Sequence, residues 1–259
     1  MIRDFMRPVK QRPFEITTIA EYVSRPVRRP GNGLLFRWSV PSDCVLCLGA
    51  AHGALLCCAC EHLLPWSGPH CPTCALPTHA GEACGACIAS PPPYDAAVTA
   101  FDYRFPLDRL VLRFKFSADL ALGAWLGAAM AGVARTTPRP DLIIASPTSL
   151  PRLRERGFNP ALVLARSVAG RVGIALEPGA ICKVRHTRPQ AGLDRTERLR
   201  NLRRAFECPR RLDGLHVAVV DDVMTTGSTM AAIAIELRRA GAARVSAWVL
   251  ARTPVPERS

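Results

Sequence analysis

The segment from Val217 to Thr229 constrains the fold of this chain more than any other feature. It begins with four apolar residues that are rich in β-branched valine, a composition typical of a buried parallel strand. Asp221 and Asp222 follow directly and are predicted to end that strand. A short loop of threonine, glycine and serine then leads into a long alanine-rich helix. This succession predicts an α/β domain with a doubly wound, mainly parallel sheet.

The same segment has the residues of an anion site. Its loop would lie at the carboxyl end of a strand and the amino end of a helix, where free N–H groups and the helix dipole favour a phosphate. The candidate phosphate-binding residues are Thr225, Thr226, Gly227, Ser228 and Thr229. Asp221 and Asp222 repel phosphate but suit sugar hydroxyls or Mg²⁺, so they are the candidate catalytic residues. The alternative is a plain N-cap cluster, because helix starts prefer these residue types.

Four C-x-x-C pairs lie between residues 41 and 90, a segment that contains nine of the eleven cysteines. Two such pairs complete a tetrahedral Cys₄ zinc site. The near-constant interval indicates an internal duplication, and sequential pairing closes the shortest loops, although spacing alone leaves cross-braced pairing open. We therefore expect a double zinc ribbon with about two structural Zn²⁺ rather than a redox motif. The predicted ligands are Cys44, Cys47, Cys57 and Cys60 in the first site, and Cys71, Cys74, Cys84 and Cys87 in the second.

Length, charge and hydropathy limit the class of protein. A chain of 259 residues accommodates one ordinary domain and a small one. We predict a poorly ordered basic extension over 1–40, the zinc ribbon over 41–90 and the α/β domain over 94–253. The formal net charge of +13 indicates anionic partners. No apolar leader or membrane-spanning run is visible, so a cytoplasmic protein without membrane insertion is expected.

Hydrophobic periodicity and caps predict the elements of the α/β domain. Strands and helices alternate along it, which is typical of parallel sheets. The predicted strands are 98–103, 142–145, 217–220 and 245–251, and the predicted helices are 106–116, 119–135, 160–172 and 228–240.

Two basic segments accompany these elements. The first, 152–159, follows a predicted strand and is interpreted as a loop whose Arg152 and Arg156 neutralise a pyrophosphate. A solvated helix start is the alternative. The second, 182–206, is a long polar segment that is predicted to be a flexible loop over the site, or else a plain surface excursion. Its candidate residues are Arg185, Gln190, Arg198 and Asn201.

The Asp-Asp-x-x-Thr-Thr-Gly-Ser-Thr string resembles the phosphoribosyl pyrophosphate (PRPP) loop of type I phosphoribosyltransferases. The wider pattern, over about residues 41–253, resembles the ComF family of competence-associated proteins and its GntX-like relatives. That pattern consists of the four cysteine pairs, Phe114-Lys115-Phe116, residues 152–159, the set Thr187, Gln190, Leu193, Arg198, Asn201 and Phe206, and residues 221–229.

The resemblance implies a double zinc ribbon joined to a type I phosphoribosyltransferase-like domain. Asp221 and Asp222 would bind ribose, and Thr225 to Thr229 would hold the 5′-phosphate of PRPP or a related phosphoribosyl ligand, with Mg²⁺. The implied activity is a phosphoribosyltransferase linked to DNA uptake, with competence proteins as candidate partners. The alternatives are a single-stranded DNA-binding accessory and a catalytically silent, nucleotide-regulated adaptor. No segment resembles a hood that selects a nucleobase, so the acceptor is not indicated.

Overall fold

The computed structural model describes residues 43–117, 119–184 and 205–255. The predicted basic extension over 1–40 lies outside these ranges. The N-terminal part contains two short helices, α1 (Cys58–His62) and α2 (Gly85–Ala89), each preceded by a cysteine at its N-cap, Cys57 and Cys84 respectively. One helix therefore follows the third predicted ligand of each cysteine set.

The rest of the described chain alternates strands and helices, as predicted. In chain order the elements are β1 (Ala96–Asp102), α3 (Leu107–Ser117), α4 (Leu120–Ala134), β2 (Leu142–Ala145), α5 (Leu150–Arg156), α6 (Pro160–Val172), β3 (Cys182–Lys183), β4 (Phe206–Glu207), β5 (His216–Met224), α7 (Ser228–Arg239) and β6 (Arg244–Arg252). Four strands form one sheet in the order β1-β6-β5-β2, with every neighbouring pair parallel. The short strands β3 and β4 pair antiparallel beside it. The prediction of a mainly parallel α/β sheet is confirmed.

Both faces of the sheet are covered. In β5, Val217 and Val219 belong to the hydrophobic core that includes α7. Ala218 and Val220, which alternate with them, belong to the opposite core, formed with α3, α4 and α6. Because successive side chains of a strand point to opposite faces, a continuous apolar run is what a doubly covered strand requires.

Helices α4 and α6 approach each other closely on the second of these faces. A Cβ atom added to Gly127 of α4 would lie 2.4 Å from the Cβ of Ser167 in α6. Asp119 caps α4, since its Oδ1 accepts a hydrogen bond of 3.0 Å from the N–H of Leu122. The apolar composition of α4 therefore reflects burial in the domain. None of the helices among the described residues is long and apolar enough to cross a lipid bilayer.

Two sequence-based expectations are corrected. The strand predicted to end before Asp221 continues to Met224, because β6 is equally long and pairs with it on both sides of Asp222, as far as Met224 opposite Arg252. The pairing of β2 with β5 ends at Ala145 opposite Val220. The segment predicted as an arginine loop instead forms α5, which ends at Gly157 in the left-handed conformation with φ 81°.

The zinc-ribbon region covers the exposed edge of β1. The N–H of Asp102 donates to the carbonyl of Pro65 at 2.8 Å, and the N–H of Ser67 donates to the carbonyl of Ala100 at 3.0 Å. The ring of Trp66, between them in the chain, lies 4.4 Å from that of Phe101. Backbone pairing of this kind satisfies an edge strand that would otherwise be open.

Candidate functional site

The eight predicted zinc ligands form two separate clusters. Within each consecutive set of four, all Sγ atoms lie within 4.8 Å of one another. The Sγ atoms of Cys47 and Cys57 are 3.7 Å apart, and those of Cys74 and Cys84 are 3.6 Å apart. A tetrahedral site with Zn–S bonds of about 2.3 Å has sulfur–sulfur edges of about 3.8 Å. The spacing fits Zn²⁺, and the ligands pair sequentially.

The two ribbons repeat the same knuckle. In the first, the N–H of Cys44 donates to the carbonyl of Gly49 at 2.7 Å and Leu48 adopts φ 61°. In the second, the N–H of Cys71 donates to the carbonyl of Leu76 at 2.8 Å and Ala75 adopts φ 56°. The internal duplication inferred from the cysteine spacing is therefore present in the backbone.

Asp221 and Asp222 lie in the part of β5 that extends beyond the end of β2. Their side chains accept hydrogen bonds from the backbone of this open edge: the N–H of Asp222 donates to Asp221 Oδ1 at 2.9 Å, and the N–H of Val223 donates to Asp222 Oδ1 at 2.6 Å. Backbone N–H groups without a strand partner need another acceptor. Here the two carboxylates accept from them, and these hydrogen bonds hold both side chains at the carboxyl edge of the sheet.

Lys115 faces this acidic pair. Its Nζ lies 2.8 Å from Asp222 Oδ2, and the two side chains are only 18% and 16% exposed. Burial, together with the charge of Asp222, raises the pKa of Asp221 to about 7, while hydrogen bonds to the Asp222 backbone and the Ser146 side chain act in the opposite direction. The Lys115 ammonium group offsets the charge of Asp222, and the raised pKa of Asp221 reduces the negative charge of the pair as the pH falls below about 7.

The phosphate loop, residues 225–229, is shaped as an anion site requires. Gly227 occupies the N-cap of α7 with φ 76° and has no side chain with which to cap the helix. Thr226 Oγ1 and Ser228 Oγ lie 2.8 Å apart, so the two hydroxyl groups converge beside the helix start. The first N–H groups of α7 have no helical acceptor and carry the positive end of its dipole.

Two residues of the site were missed by sequence reasoning. Lys115 lies in the sequence Phe114-Lys115-Phe116. The apolar residues of this segment predicted a helix, but they did not show that the lysine side chain contacts Asp222. Arg252, at the end of β6, is only 5% exposed and donates to the carbonyl of Met224 at 2.8 Å and to that of Thr225. No local pattern distinguishes Arg252 from the chain's many surface arginines.

The predicted arginines lie on a neighbouring element. Arg152 is exposed and Arg156 half-buried on α5, which follows β2 at the same sheet edge as the phosphate loop. The guanidinium carbon of Arg156 lies 5.3 Å from the ring centroid of Phe116. Among the described residues, no hydrogen bond or ion pair joins either arginine to the loop. The predicted flexible-loop residues lie outside the described ranges: Arg185, Gln190, Arg198 and Asn201.

Comparison with known proteins gives consistent results for both parts of the chain. The double zinc ribbon domain family matches residues 35–88. The DNA utilization protein YhgH of Salmonella typhi is 38% identical over 225 residues, which cover 83% of this chain and 99% of that protein. Competence protein F of Haemophilus influenzae is 34% identical over 225 residues, which cover 81% of this chain and 96% of that protein.

Solved structures give weaker matches. A purine phosphoribosyltransferase from Pyrococcus horikoshii matches with a TM-score of 0.32 and 20% identity, covering 60% of this chain and 77% of that one. An adenine phosphoribosyltransferase from Thermoanaerobacter pseudethanolicus matches with a TM-score of 0.33 and 18% identity, covering 51% of this chain and 82% of that one.

Proposed function

This chain belongs to the ComF family, the family of competence protein F and the DNA utilization protein YhgH, and on that premise we propose that it is a PRPP-binding phosphoribosyltransferase. The observation that carries the proposal is the juxtaposition of two carboxylates on β5 with the N-terminus of α7. A phosphorylated sugar is the ligand class that needs both groups a few residues apart. The names of the relatives, DNA utilization protein and competence protein F, support a role of this chain in DNA uptake or in the use of imported DNA.

The 5′-phosphate of the ligand would occupy the phosphate loop. Backbone N–H groups of α7 would donate to its oxygens, and the hydroxyls of Thr226 and Ser228 would add two further donors. Gly227 adopts the positive φ of 76° at the turn into α7, a conformation that glycine takes without strain. These contacts hold the ligand by a group that does not react, which positions its anomeric carbon.

The ribose hydroxyls would be bound by Asp221 and Asp222. Lys115 neutralises Asp222 in the free protein and would move to the ligand's anionic groups when a hydroxyl takes its place. Mg²⁺ bound with PRPP would neutralise the pyrophosphate and orient it as a leaving group. The reaction would break the bond between the anomeric carbon and pyrophosphate and form one to an acceptor. Arg152 and Arg156 of α5 would neutralise the charge of the leaving pyrophosphate.

Isothermal calorimetry with PRPP and Mg²⁺ tests the proposal. We expect saturable binding that Asp222→Asn weakens by about 1–3 kcal/mol, the range for a lost charge-assisted contact. Asp213→Asn is the control, because that side chain is 61% exposed and pairs only with Arg211 among the described residues. Absence of binding by the unmodified protein, or equal affinity in both variants, would overturn the proposal.

A separate assay of pyrophosphate release tests catalysis. Release of pyrophosphate in the presence of candidate acceptors would identify a transferase, whereas binding without release would identify a nucleotide-regulated adaptor. We propose a cytoplasmic location, because a reducing compartment would keep the eight clustered cysteines available for metal rather than for disulfides. A single-stranded DNA-binding function is the second candidate, favoured by the basic run between residues 183 and 211.

A further inference from the structure

We propose that Arg252 couples the second zinc site to the phosphate loop, so that metal in the second ribbon, and not in the first, holds the loop in its binding conformation. Arg252 is a positioning residue in this scheme. The inference rests on the proposed function only where the ligand is concerned, since the coupling itself concerns two parts of the free protein.

The first observation is the set of hydrogen bonds made by this one buried guanidinium. Its Nε donates to the carbonyl of Cys74, a ligand residue of the second site, at 2.9 Å. Its Nη1 donates to the carbonyls of Met224 at 2.8 Å and Thr225, and to that of Thr253 at 3.0 Å. The planar fork of arginine therefore bonds the zinc knuckle on one side and the start of the phosphate loop on the other.

The second observation is that a cavity separates these two parts. It has a volume of about 380 Å³ and is lined by Cys74, Leu76 and Cys87 on the ribbon side and by Thr225 and Thr226 on the loop side. The Arg252 guanidinium also lines the cavity and spans it, with Nε bonded to the ribbon side and Nη1 to the loop side.

The third observation is the divergence of the two ribbons at one equivalent position. Ala75, which follows Cys74, is fully buried in the same core as Tyr94 and Met224. Leu48, its counterpart in the first ribbon, is 73% exposed. The duplicated unit is thus joined to the loop through its second copy, whereas the first copy offers no such contact among the described residues.

Tyr94 is a second contact between the ribbon side and the phosphate loop. A Cβ atom added to Gly227 would lie 3.0 Å from the hydroxyl oxygen of Tyr94, so the tyrosine lies directly against the loop backbone. The N–H of Ala97 donates to the carbonyl of Pro72, inside the second knuckle, at 2.9 Å. Displacement of the second knuckle would therefore disturb both Arg252 and the segment that carries Tyr94.

Hydrogen–deuterium exchange of the full chain tests the coupling without any ligand. Cys84→Ser removes one thiolate of the second site, and Cys57→Ser is the matched control, because both cysteines are third ligands and helix N-caps. We expect exchange in residues 223–231 to rise about tenfold or more with Cys84→Ser and to stay unchanged with Cys57→Ser. Equal protection of the loop in the two variants would overturn the proposal.

Arg252→Met separates the bridge from the metal, because it keeps the length of the stem and removes the donors. We expect the same loosening of residues 223–231 while both zinc ions remain bound. Adding Cys84→Ser to Arg252→Met should then cause little further exchange, since the two changes break one connection. Additive effects would show that zinc and Arg252 act independently and would contradict the coupling. Arg252→Lys, with one ammonium group in place of a fork, should restore only part of the protection.

Reciprocity supplies a spectroscopic test. If the loop responds to the second site, a ligand in the loop must act on that site in return. In cadmium-113-substituted protein, PRPP with Mg²⁺ should shift the resonance of the second site and leave that of the first, and Arg252→Met should abolish the shift. A shift of both resonances, or persistence in Arg252→Met, would overturn the coupling. If calorimetry shows no PRPP binding, only the proposed function fails, and the exchange experiment still decides the coupling.

Discussion

At the scale of single residues, a side chain at Gly227 would meet two obstacles, the positive φ of the backbone and the nearby hydroxyl of Tyr94, and a second glycine allows the two effects to be distinguished. Gly227 and Gly173 both have positive φ, 76° and 66°, but an added Cβ contacts Tyr94 at the first position and nothing within 4 Å at the second. Gly227→Ala and Gly173→Ala should each lose roughly 1–2 kcal/mol of stability. Only Gly227→Ala should weaken PRPP binding, by about tenfold or more, in calorimetry paired with urea unfolding. Similar losses of affinity in both variants would mean that strain alone disturbs the site.

Asp221 makes the stability of the free protein depend on pH. Its pKa is raised to about 7 by burial and by the charge of Asp222, whereas an unfolded aspartate titrates near 3.9. Between about pH 4 and pH 7, Asp221 therefore holds a proton in the folded state but not in the unfolded state. The contribution of this proton to the free energy of unfolding is complete below about pH 4 and is lost as the pH rises through 7.

Asp221→Asn should remove this dependence. In urea unfolding without Mg²⁺, the variant should gain stability relative to the unmodified protein between pH 5.5 and 8, because asparagine does not ionise. Comparing the difference between the two proteins cancels the pH dependence of zinc binding, which they share. A constant difference over this interval would show that Asp221 titrates at an ordinary pKa.

The carboxylates and the loop could be predicted from the sequence, because they are adjacent in the chain and their chemistry depends on local order. Lys115 and Arg252 could not, because their partners are distant. The bond from Arg252 to the carbonyl of Cys74 spans 178 residues. Only the packing of β6 between the other strands brings that guanidinium to the ribbon.

At the scale of elements, hydrophobic periodicity was sufficient where an element is buried on a regular face. The bounds of β2 and α6 are those predicted. It failed for α5, in which all residues are exposed or partly exposed, so there is no apolar stripe to detect. It also failed for the second half of β5, since Asp221, Val223 and Met224 extend the strand by pairing with β6, although aspartate has a low strand propensity.

The contact between α4 and α6 yields a test at the same scale. Gly127→Ala places a methyl group 2.4 Å from the Cβ of Ser167 and should cost about 1–3 kcal/mol of unfolding free energy. Gly170→Ala in α6 meets nothing within 4 Å and should be stabilising by about 0.4–1 kcal/mol. Thermal or urea unfolding measures both. A neutral Gly127→Ala would show that the two helices separate easily.

The two ribbons should each hold one metal ion. Elemental analysis of protein purified under reducing conditions without chelator should give about two Zn²⁺ per chain, bound only by sulfur in X-ray absorption. Cys57→Ser and Cys84→Ser should each reduce the content to about one, because the ligands pair sequentially. A content near zero in the unmodified protein would refute zinc binding, and a content near two in both variants would refute the ligand assignment.

At the scale of the whole molecule, the ribbon is part of the architecture of the sheet. Residues 65–67 pair with β1 at one edge of the sheet, and residues 175–177 pair with β2 at the other. Loss of both metals should therefore expose the β1 edge and the aromatic contact between Trp66 and Phe101, in addition to unfolding the ribbon itself. The run from Lys183 to Arg211 is strongly basic.

That charge makes a prediction about single-stranded DNA. Ten lysines and arginines lie between positions 183 and 211, against three acids, and the net charge of the chain is +13. If this run follows a phosphate backbone, binding should show little sequence preference and weaken steeply with salt. In a plot of the logarithm of the binding constant against the logarithm of the salt concentration, each phosphate contact should contribute about 0.7 to the downward slope. Neutralising Arg200, Arg203 and Arg204 together should reduce that slope by up to about two.

A matched variant distinguishes this run from the overall charge. Neutralising Arg109, Arg166 and Arg239 removes the same charge from exposed positions on three separate helices and should leave the slope nearly unchanged. PRPP should compete with DNA if the basic run closes over both ligands. Fluorescence anisotropy between about 50 and 200 mM salt measures each slope, since screening is weakest at the lower value. No binding at about 50 mM salt would exclude the DNA function and leave the phosphoribosyl ligand as the explanation of the basic run.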